Sequence, residues 1–287
     1  MAFDNAFEAL TEAHDDSRWA FGTGFEDPLS GVDTTVPSGV DAGALAAYCL
    51  MLGDDALIFS HRLQEWCTNA PELEEEVAIA NIGLDLLGQA RLLLARAGKI
   101  TGRTEDELAF FREEREFRNV RLAELERGDF GQLIAVLLVF STWRLALFEK
   151  LTASPDPVLA AIAAKGVKEL TYHRDYAAQW AVRLGDGTEY SHERMQAGLD
   201  GVWPYVEELF TPHDVEMAVG VDPSSVREAF DDVLAQVLSA ATVKRPEVAP
   251  RAGVAGRMGR DGVHTEAMGY LLAELQSVAR AHPDATW

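Results

Sequence analysis

Most of the chain repeats apolar residues at the spacing of amphipathic helices. The first such stretch places them three and four positions apart, at Leu45, Cys49, Leu52 and Ala56. Breaks containing Gly, Pro and helix-capping residues divide the pattern into segments that predict helices over 42–69, 71–98, 129–152, 157–184, 191–210, 223–241 and 264–281. No stretch alternates apolar and polar residues as a half-buried strand does. The pattern therefore predicts an all-α fold.

Four of these helices make two hairpin pairs, 42–69 with 71–98 and 129–152 with 157–184. Two hairpins joined by one long connection are typical of a four-helix bundle, and the remaining helices would extend it at its C-terminal side. Residues 1–41 are instead rich in Gly, Pro, Thr and Asp. We therefore expect a flexible or loosely docked N-terminal extension, followed by one domain over residues 42–287.

The chain is strongly acidic. Its 287 residues include 47 Asp and Glu against 25 Lys and Arg, so the net charge is −22, which argues against nucleic-acid binding. Only five of the basic residues are lysine. An acidic surface poor in lysine suits a salt-rich cytoplasm, where ions screen self-repulsion. The sequence thus favours a halophilic source, and the alternative is a mildly acidic protein of a mesophile.

Two further features concern the cellular compartment. No apolar run approaches the ~20 residues that span a bilayer, and residues 1–10 lack the basic start and apolar stretch of a signal peptide. We therefore expect a cytoplasmic protein without a membrane partner. Cys49 and Cys67 would lie about 27 Å apart on one helix, which is too far for a disulfide, so we expect reduced thiols.

Several blocks of sequence resemble the second, PaaC-type subunit of bacterial phenylacetyl-CoA epoxidases. They are QEWCTNAPELEEEVAIANIGLDLLGQARLLL from Gln64, LAFFREEREFRN from Leu108, KELTYHRDYAAQWAVRLGDGT from Lys168 and GVHTEAMGYLLAELQSVAR from Gly262. The likeness covers roughly residues 43–287. It implies a ferritin-like fold in a complex that adds an oxygen atom across the aromatic ring of phenylacetyl-CoA.

The resemblance also implies partners. The related catalytic subunit, of PaaA type, carries the di-iron centre in that family. Further subunits of the epoxidase complex, including a reductase, are expected, and phenylacetyl-CoA itself is expected near the interface.

A di-iron carboxylate site takes one Glu from each of two helices and a Glu-x-x-His pair from each of two others. Carboxylates and imidazoles suit iron that cycles its oxidation state. The resemblance places Leu86 and Gln89 at the first such pair, and Leu170 and His173 at the second. Leucine cannot bind a metal, and a neutral amide is a poor substitute for imidazole. The resemblance therefore implies a degenerate metal site, with no cofactor bound by this chain.

Some acidic residues remain near these positions. Asp54, Asp55 and Asp85 lie on the first two helices, and Glu169 stands four residues before His173. One interpretation is an altered metal site. The other is a buried cluster of salt bridges in place of the metal, since buried carboxylates need a partner. Partners suggested by the sequence are Arg62, Arg91 or His173.

Other polar residues have two interpretations each. His61 is either a packed histidine or a ligand, and His264 either caps the last helix or touches a partner. The loop from Val243 to Asp261 carries Arg251, Arg257 and Arg260, which are either solvated or bind an acidic partner or CoA phosphates. The charged run REEREFR, 112–118, is either a surface helix with internal ion pairs or a contact with the catalytic subunit.

These observations predict a non-catalytic subunit that supports a di-iron partner. An alternative is a metal-dependent oxidase or oxygenase that acts on its own through Asp54, Asp85, Glu169 and His173. A third is a binding protein of bundle type without an oxygenase link, because bundles host many functions.

Overall fold

The computed structural model describes residues 31–285, and within them the chain forms nine α-helices and no strand. The helices are α1 (Ala42–Gln64), α2 (Leu73–Thr101), α3 (Glu105–Phe110), α4 (Phe130–Leu151), α5 (Pro157–Gly185), α6 (Glu189–Val202), α7 (Asp214–Ala218), α8 (Arg227–Ala240) and α9 (Glu266–Ala281). The all-α prediction is confirmed.

Helices α1, α2, α4 and α5 form the predicted four-helix bundle. Helix α1 packs along α2 and α4 packs along α5, while α2 and α5 meet across the bundle. The long connection between the hairpins holds α3 and two short 3-10 turns. Helix α6 packs on α4, and α8 covers the α4–α5 side. The fold is a ferritin-like bundle with added C-terminal helices.

The helices begin where short polar side chains satisfy free backbone N–H groups. Asp41, Asp129 and Asp156 each accept a hydrogen bond from the backbone three residues ahead, at 2.9 Å in all three cases. Pro157 then occupies the first turn of α5, where a missing N–H costs nothing. Helix α2 ends at Gly102, whose φ of 74° favours glycine.

Helix α6 approaches α4 very closely. A β-carbon on Gly131 would lie 2.8 Å from the Arg194 carbonyl oxygen, and one on Gly198 would lie 2.7 Å from the Gly131 carbonyl oxygen. Neither position therefore has room for a side chain. Nearby, buried Trp143 donates its indole N–H to the Leu209 carbonyl at 3.1 Å, which ties the segment after α6 to the bundle.

Some boundaries differ from the prediction for identifiable reasons. Helix α1 ends at Gln64 rather than near residue 69, because the chain turns from Glu65 onward. The helix predicted over 191–210 ends at Val202, because Pro204 cannot continue its hydrogen bonding and a run of 3-10 turns begins at Trp203. The run REEREFR is not a surface helix. Only Glu114–Glu116 forms a 3-10 turn, because Arg112 turns into the core.

Among residues 31–285, three helices are long and apolar enough, by length and composition, to cross a membrane: α1, α2 and α4. The expectation that no segment approaches this length was wrong. Each of these helices contains an apolar window of 18 residues. The buried share of that window is 72% in α1 and 89% in α4, but only 44% in α2. The apolar residues of α1 and α4 therefore serve the core, and those of α2 also reach the outside.

Candidate functional site

Two adjacent aspartates of α1 bind arginines from outside the bundle. Asp54 accepts hydrogen bonds from both terminal nitrogens of Arg112, one of them at 2.9 Å, and from the Arg118 backbone N–H at 2.8 Å. Asp55 accepts from both terminal nitrogens of Arg260, at 2.9 and 2.8 Å. Both carboxylates are fully buried, so they attach the connection after α3 and the C-terminal loop to the bundle.

The charge of Asp55 acts on Arg260 in return. Burial alone lowers the pKa of Arg260, but the charges of Asp55 and Glu216 outweigh burial and raise it above its ordinary value. Arg260 also donates to the carbonyl oxygens of Met51 and Arg118, at 3.2 and 2.8 Å. This arginine therefore remains charged and fixes three segments of the chain together.

A third arginine, Arg144 of α4, occupies the centre of the bundle. It is fully buried. Its Nε donates to Gln89 Oε1 at 3.0 Å and its Nη2 donates to the Leu52 carbonyl at 3.1 Å. Its Nη1 lies 3.9 Å from Asp55 Oδ2. The ring of Phe148 lies 4.4 Å from the guanidinium carbon. Burial lowers the pKa of Arg144 to about 10, against the attraction of Asp55.

Gln89 continues this network to α5. Its amide nitrogen donates to Glu169 Oε2 at 3.0 Å, and Glu169 Oε1 pairs with Lys165 at 3.0 Å. The oxygen of the Gln89 amide thus accepts from an arginine, and its nitrogen donates to a carboxylate, so both polar atoms of the amide are bonded. We call Arg144, Gln89, Glu169 and Lys165 the central network.

A separate pair lies one turn along the same two helices. His173 Nε2 is 3.0 Å from Asp85 Oδ2, with the imidazole buried and the carboxylate half-exposed. Leu86 and Leu170 are fully buried in the apolar core. The pairs Leu86/Gln89 and Leu170/His173 thus lie on α2 and α5, which meet across the bundle.

The side chains at the bundle centre do not fit a di-iron centre. Two of the positions are leucines, and the amide of Gln89 is engaged with an arginine and a carboxylate. A guanidinium at the centre repels metal cations at close range. Within residues 31–285, no three His, Cys, Asp or Glu side chains are placed to hold a metal ion. No reaction step can therefore be derived through a metal of this chain.

The structure does not bring Asp54 together with Asp85, Glu169 and His173. Asp54 is bonded to Arg112 on the side of α1 that faces the connection after α3. Of the partners predicted for the residual acids, Arg62, Arg91 or His173, the structure gives His173 that role, because it pairs with Asp85 at 3.0 Å. Arg62 reaches Glu65, at 2.5 Å, and backbone carbonyls, while Arg91 pairs with Glu105 at 2.7 Å.

Two further interpretations needed correction. Arg260 is neither solvated nor available to CoA phosphates, because it is buried against Asp55. His264 neither caps α9 nor lies on the surface. Its side chain is fully buried, with Nε2 bonded to the Phe117 carbonyl at 3.2 Å and Nδ1 3.5 Å from Glu124. His61, by contrast, is packed, and burial lowers its pKa.

Sequence reasoning missed Arg144 and Arg112, two fully buried arginines that bond to residues of the bundle. A signal for Arg144 was available. It is a basic residue in the middle of the apolar run from Leu133 to Leu147, and a charge in such a run needs a buried acceptor. Arg112 gave no such signal, because it belongs to a run of mixed charge that reads as solvent-exposed.

The four-helix bundle with polar side chains at its centre defines a ferritin-like helical protein. The sequence profile of the family described as phenylacetic acid catabolic protein matches residues 32–287. The chain is also 43% identical over 250 residues to the C subunit of the 1,2-phenylacetyl-CoA epoxidase of Escherichia coli (strain K12), an overlap of 85% of this chain and 99% of that relative. The chain belongs to the phenylacetic acid catabolic protein family, and the resemblance predicted from its sequence is confirmed.

Proposed function

We propose that this chain is a non-catalytic structural subunit of a multicomponent ring-1,2-phenylacetyl-CoA epoxidase in aerobic phenylacetate degradation. Its role is to pair with and support the di-iron catalytic subunit. The Escherichia coli relative is named as one subunit of such an epoxidase, and the overlap covers nearly the whole of that relative. Both facts support the assignment of this chain to a complex of that kind.

One observation carries the non-catalytic part of the proposal, namely Arg144 at the bundle centre. Where a di-iron bundle concentrates carboxylates around two cations, this chain places a guanidinium bonded to Gln89 and 3.9 Å from Asp55. The positive charge at the bundle centre is thus carried by an arginine side chain and not by metal ions. Oxygen activation on iron needs open coordination positions, and the central network leaves no ligand set for it.

The cofactor and partners follow from this role. The di-iron centre belongs to the PaaA-type catalytic partner, and a reductase delivers electrons to that partner. Phenylacetyl-CoA binds near the interface between the two subunits. These statements rest on the family and on the name of the relative, together with the absence of a fitting donor set among residues 31–285.

We further propose a salt-rich cytoplasm as the site of action. The net charge of −22 and the five lysines support this.

Metal content tests the proposal directly. The full chain is loaded anaerobically with ferrous iron in molar KCl, desalted, and its iron measured, with the catalytic subunit of the same complex loaded in parallel. We expect close to zero iron per chain and about two per catalytic subunit. Close to two irons in this chain would overturn the non-catalytic assignment. Failure of the two subunits to co-purify under native salt would overturn the pairing.

A further inference from the structure

Helix α2 has a second apolar side that faces away from the core. Its exposed positions include Leu73, Val77, Leu84 and Leu87, and Leu73 and Leu84 keep 70% and 56% of their surface exposed. Half-buried Ala80 fills the gap in the series. We call these five residues the outer stripe. The neighbouring helix α5 exposes mainly polar side chains, such as Lys168, Asp175 and Gln179, together with one aromatic ring, that of Tyr172.

The spacing of the outer stripe specifies the shape of what covers it. Its members are separated by four, three, four and three residues, a mean of 3.5, which is the period of a helix packed lengthwise against another helix. From Leu73 to Leu87 the stripe is about 21 Å long at 1.5 Å per residue. It therefore fits one helix of about four turns that runs nearly along α2.

The charges beside the stripe specify the partner's polarity. Glu72, Glu74 and Glu76 surround Leu73 at the start of α2, and within residues 31–285 none of them makes an ion pair. A partner helix that runs antiparallel to α2 would bring its last turn here, where basic residues are favoured by the helix dipole. The acidic start of α2 therefore favours a partner helix whose last turn is basic.

A second copy of this chain fits less well. In an antiparallel pairing of α2 with itself about Ala80, the midpoint of the outer stripe, Leu73 would face Leu87. The acidic start of α2 would find no cation there, because Glu72 and Glu76 would face Gly88 and Leu84, which carry no charge. Two copies with a net charge of −22 each also repel one another.

A lipid surface fits less well too. Helices that lie on membranes carry Lys and Arg on their polar side. The outer stripe is instead bordered by Glu72, Glu74 and Glu76 at one end.

We infer that the outer stripe is the surface on which a helix of the catalytic subunit packs, antiparallel to α2 and with a basic C-terminal turn. This inference rests on the proposed function, and it assigns the face through which that function is exercised. Only 44% of the apolar window of α2 is buried within this chain. The partner helix would bury more of it in the assembly.

The test compares two substitutions at equally exposed apolar positions. Leu84→Glu places a charge in the outer stripe, and Val278→Glu does so on α9, where Val278 is 55% exposed. Affinity for the purified catalytic subunit is measured by biolayer interferometry in molar KCl. We expect Leu84→Glu to weaken binding about 30-fold, as at an interface hot spot, and Val278→Glu to leave it unchanged.

The outcomes separate the two proposals. If the wild-type chain does not bind the catalytic subunit at all, the proposed function fails. If it binds and Leu84→Glu binds equally well, the function stands and the outer stripe is not the interface. A dimer of the isolated chain that Leu84→Glu dissociates in sedimentation would assign the stripe to a second copy. Leu84-dependent binding to phosphatidylglycerol vesicles would assign it to a membrane. Either result overturns the inference.

Discussion

The two arginines Arg144 and Arg112 are both fully buried, yet their removal should have opposite consequences. Replacement by methionine keeps a long apolar side chain in each place and deletes the charge. Arg144→Met leaves no carboxylate without a cation, because Asp55 keeps Arg260 at 2.8 Å and Glu169 keeps Lys165 at 3.0 Å. What it leaves is the Gln89 carbonyl without a donor.

The magnitudes for Arg144 nearly cancel. Burial lowers its pKa from 12.5 to about 10, and at about 1.4 kcal/mol per pKa unit the charged form costs about 3 kcal/mol near neutral pH. Arg144→Met relieves this cost and leaves one unsatisfied buried acceptor, which costs about 1–3 kcal/mol. We therefore expect a change in the free energy of unfolding of less than about 2 kcal/mol. Adding Gln89→Leu removes the orphaned acceptor and should make the double variant at least as stable as the wild type.

Arg112→Met is the matched comparison. It leaves the Asp54 carboxylate buried, with the Arg118 backbone N–H at 2.8 Å as its remaining donor among residues 31–285. Breaking a buried pair in this way costs about 3–5 kcal/mol. Urea unfolding followed by circular dichroism in constant KCl measures all three variants. If Arg144→Met were the more destabilising of the two single changes, the reasoning about which carboxylates have a second cation would be refuted.

Three further outcomes are expected. Gly166→Ala should destabilise the fold by about 1–3 kcal/mol, because its β-carbon would lie 2.6 Å from the Phe148 ring; Gly88→Ala, with Lys165 Nζ 3.9 Å away, should not, and thermal unfolding compares them. The pKa of His264 is raised because the charge of Glu124 outweighs burial, and burial raises the pKa of Glu124. Both groups hold more protons when folded, so stability should fall as pH rises above the ordinary pKa of His, about 6.5; an equal slope in His264→Asn would contradict this. Stability should rise steeply with KCl because the net charge is −22, and full folding without salt, seen by circular dichroism, would contradict that.

Local sequence determined the helices because their signals are local. Asp41, Asp129 and Pro157 mark helix starts through side chains that act within one turn. Hairpin pairing and the bundle follow from the same information. The positions Leu86, Gln89, Leu170 and His173 were assigned instead by the family resemblance, and they lie on α2 and α5, which meet across the bundle.

The polar contacts of the core could not be predicted in the same way. Asp54 and Asp55 are adjacent in sequence, but their partners Arg112 and Arg260 come from irregular segments far along the chain. Nothing in the spacing of a loop arginine says which helix it will reach. Arg62 and Arg91 were the nearer candidates, and both are engaged elsewhere. Long-range charge pairing depends on how loops return to the bundle, which local periodicity does not encode.

The pairing of Asp55 with Arg260 also bears on biosynthesis. The two residues are 205 positions apart, and at 5–20 residues per second a ribosome needs about 10–40 s to pass from one to the other. During that time α1 carries a carboxylate that no cation from its own hairpin neutralises. The bidentate partner of Asp55 is therefore absent until the C-terminal part of the chain has emerged. A prematurely terminated chain would lack Arg260. Burial of the Asp55 carboxylate without this partner would then oppose its folding.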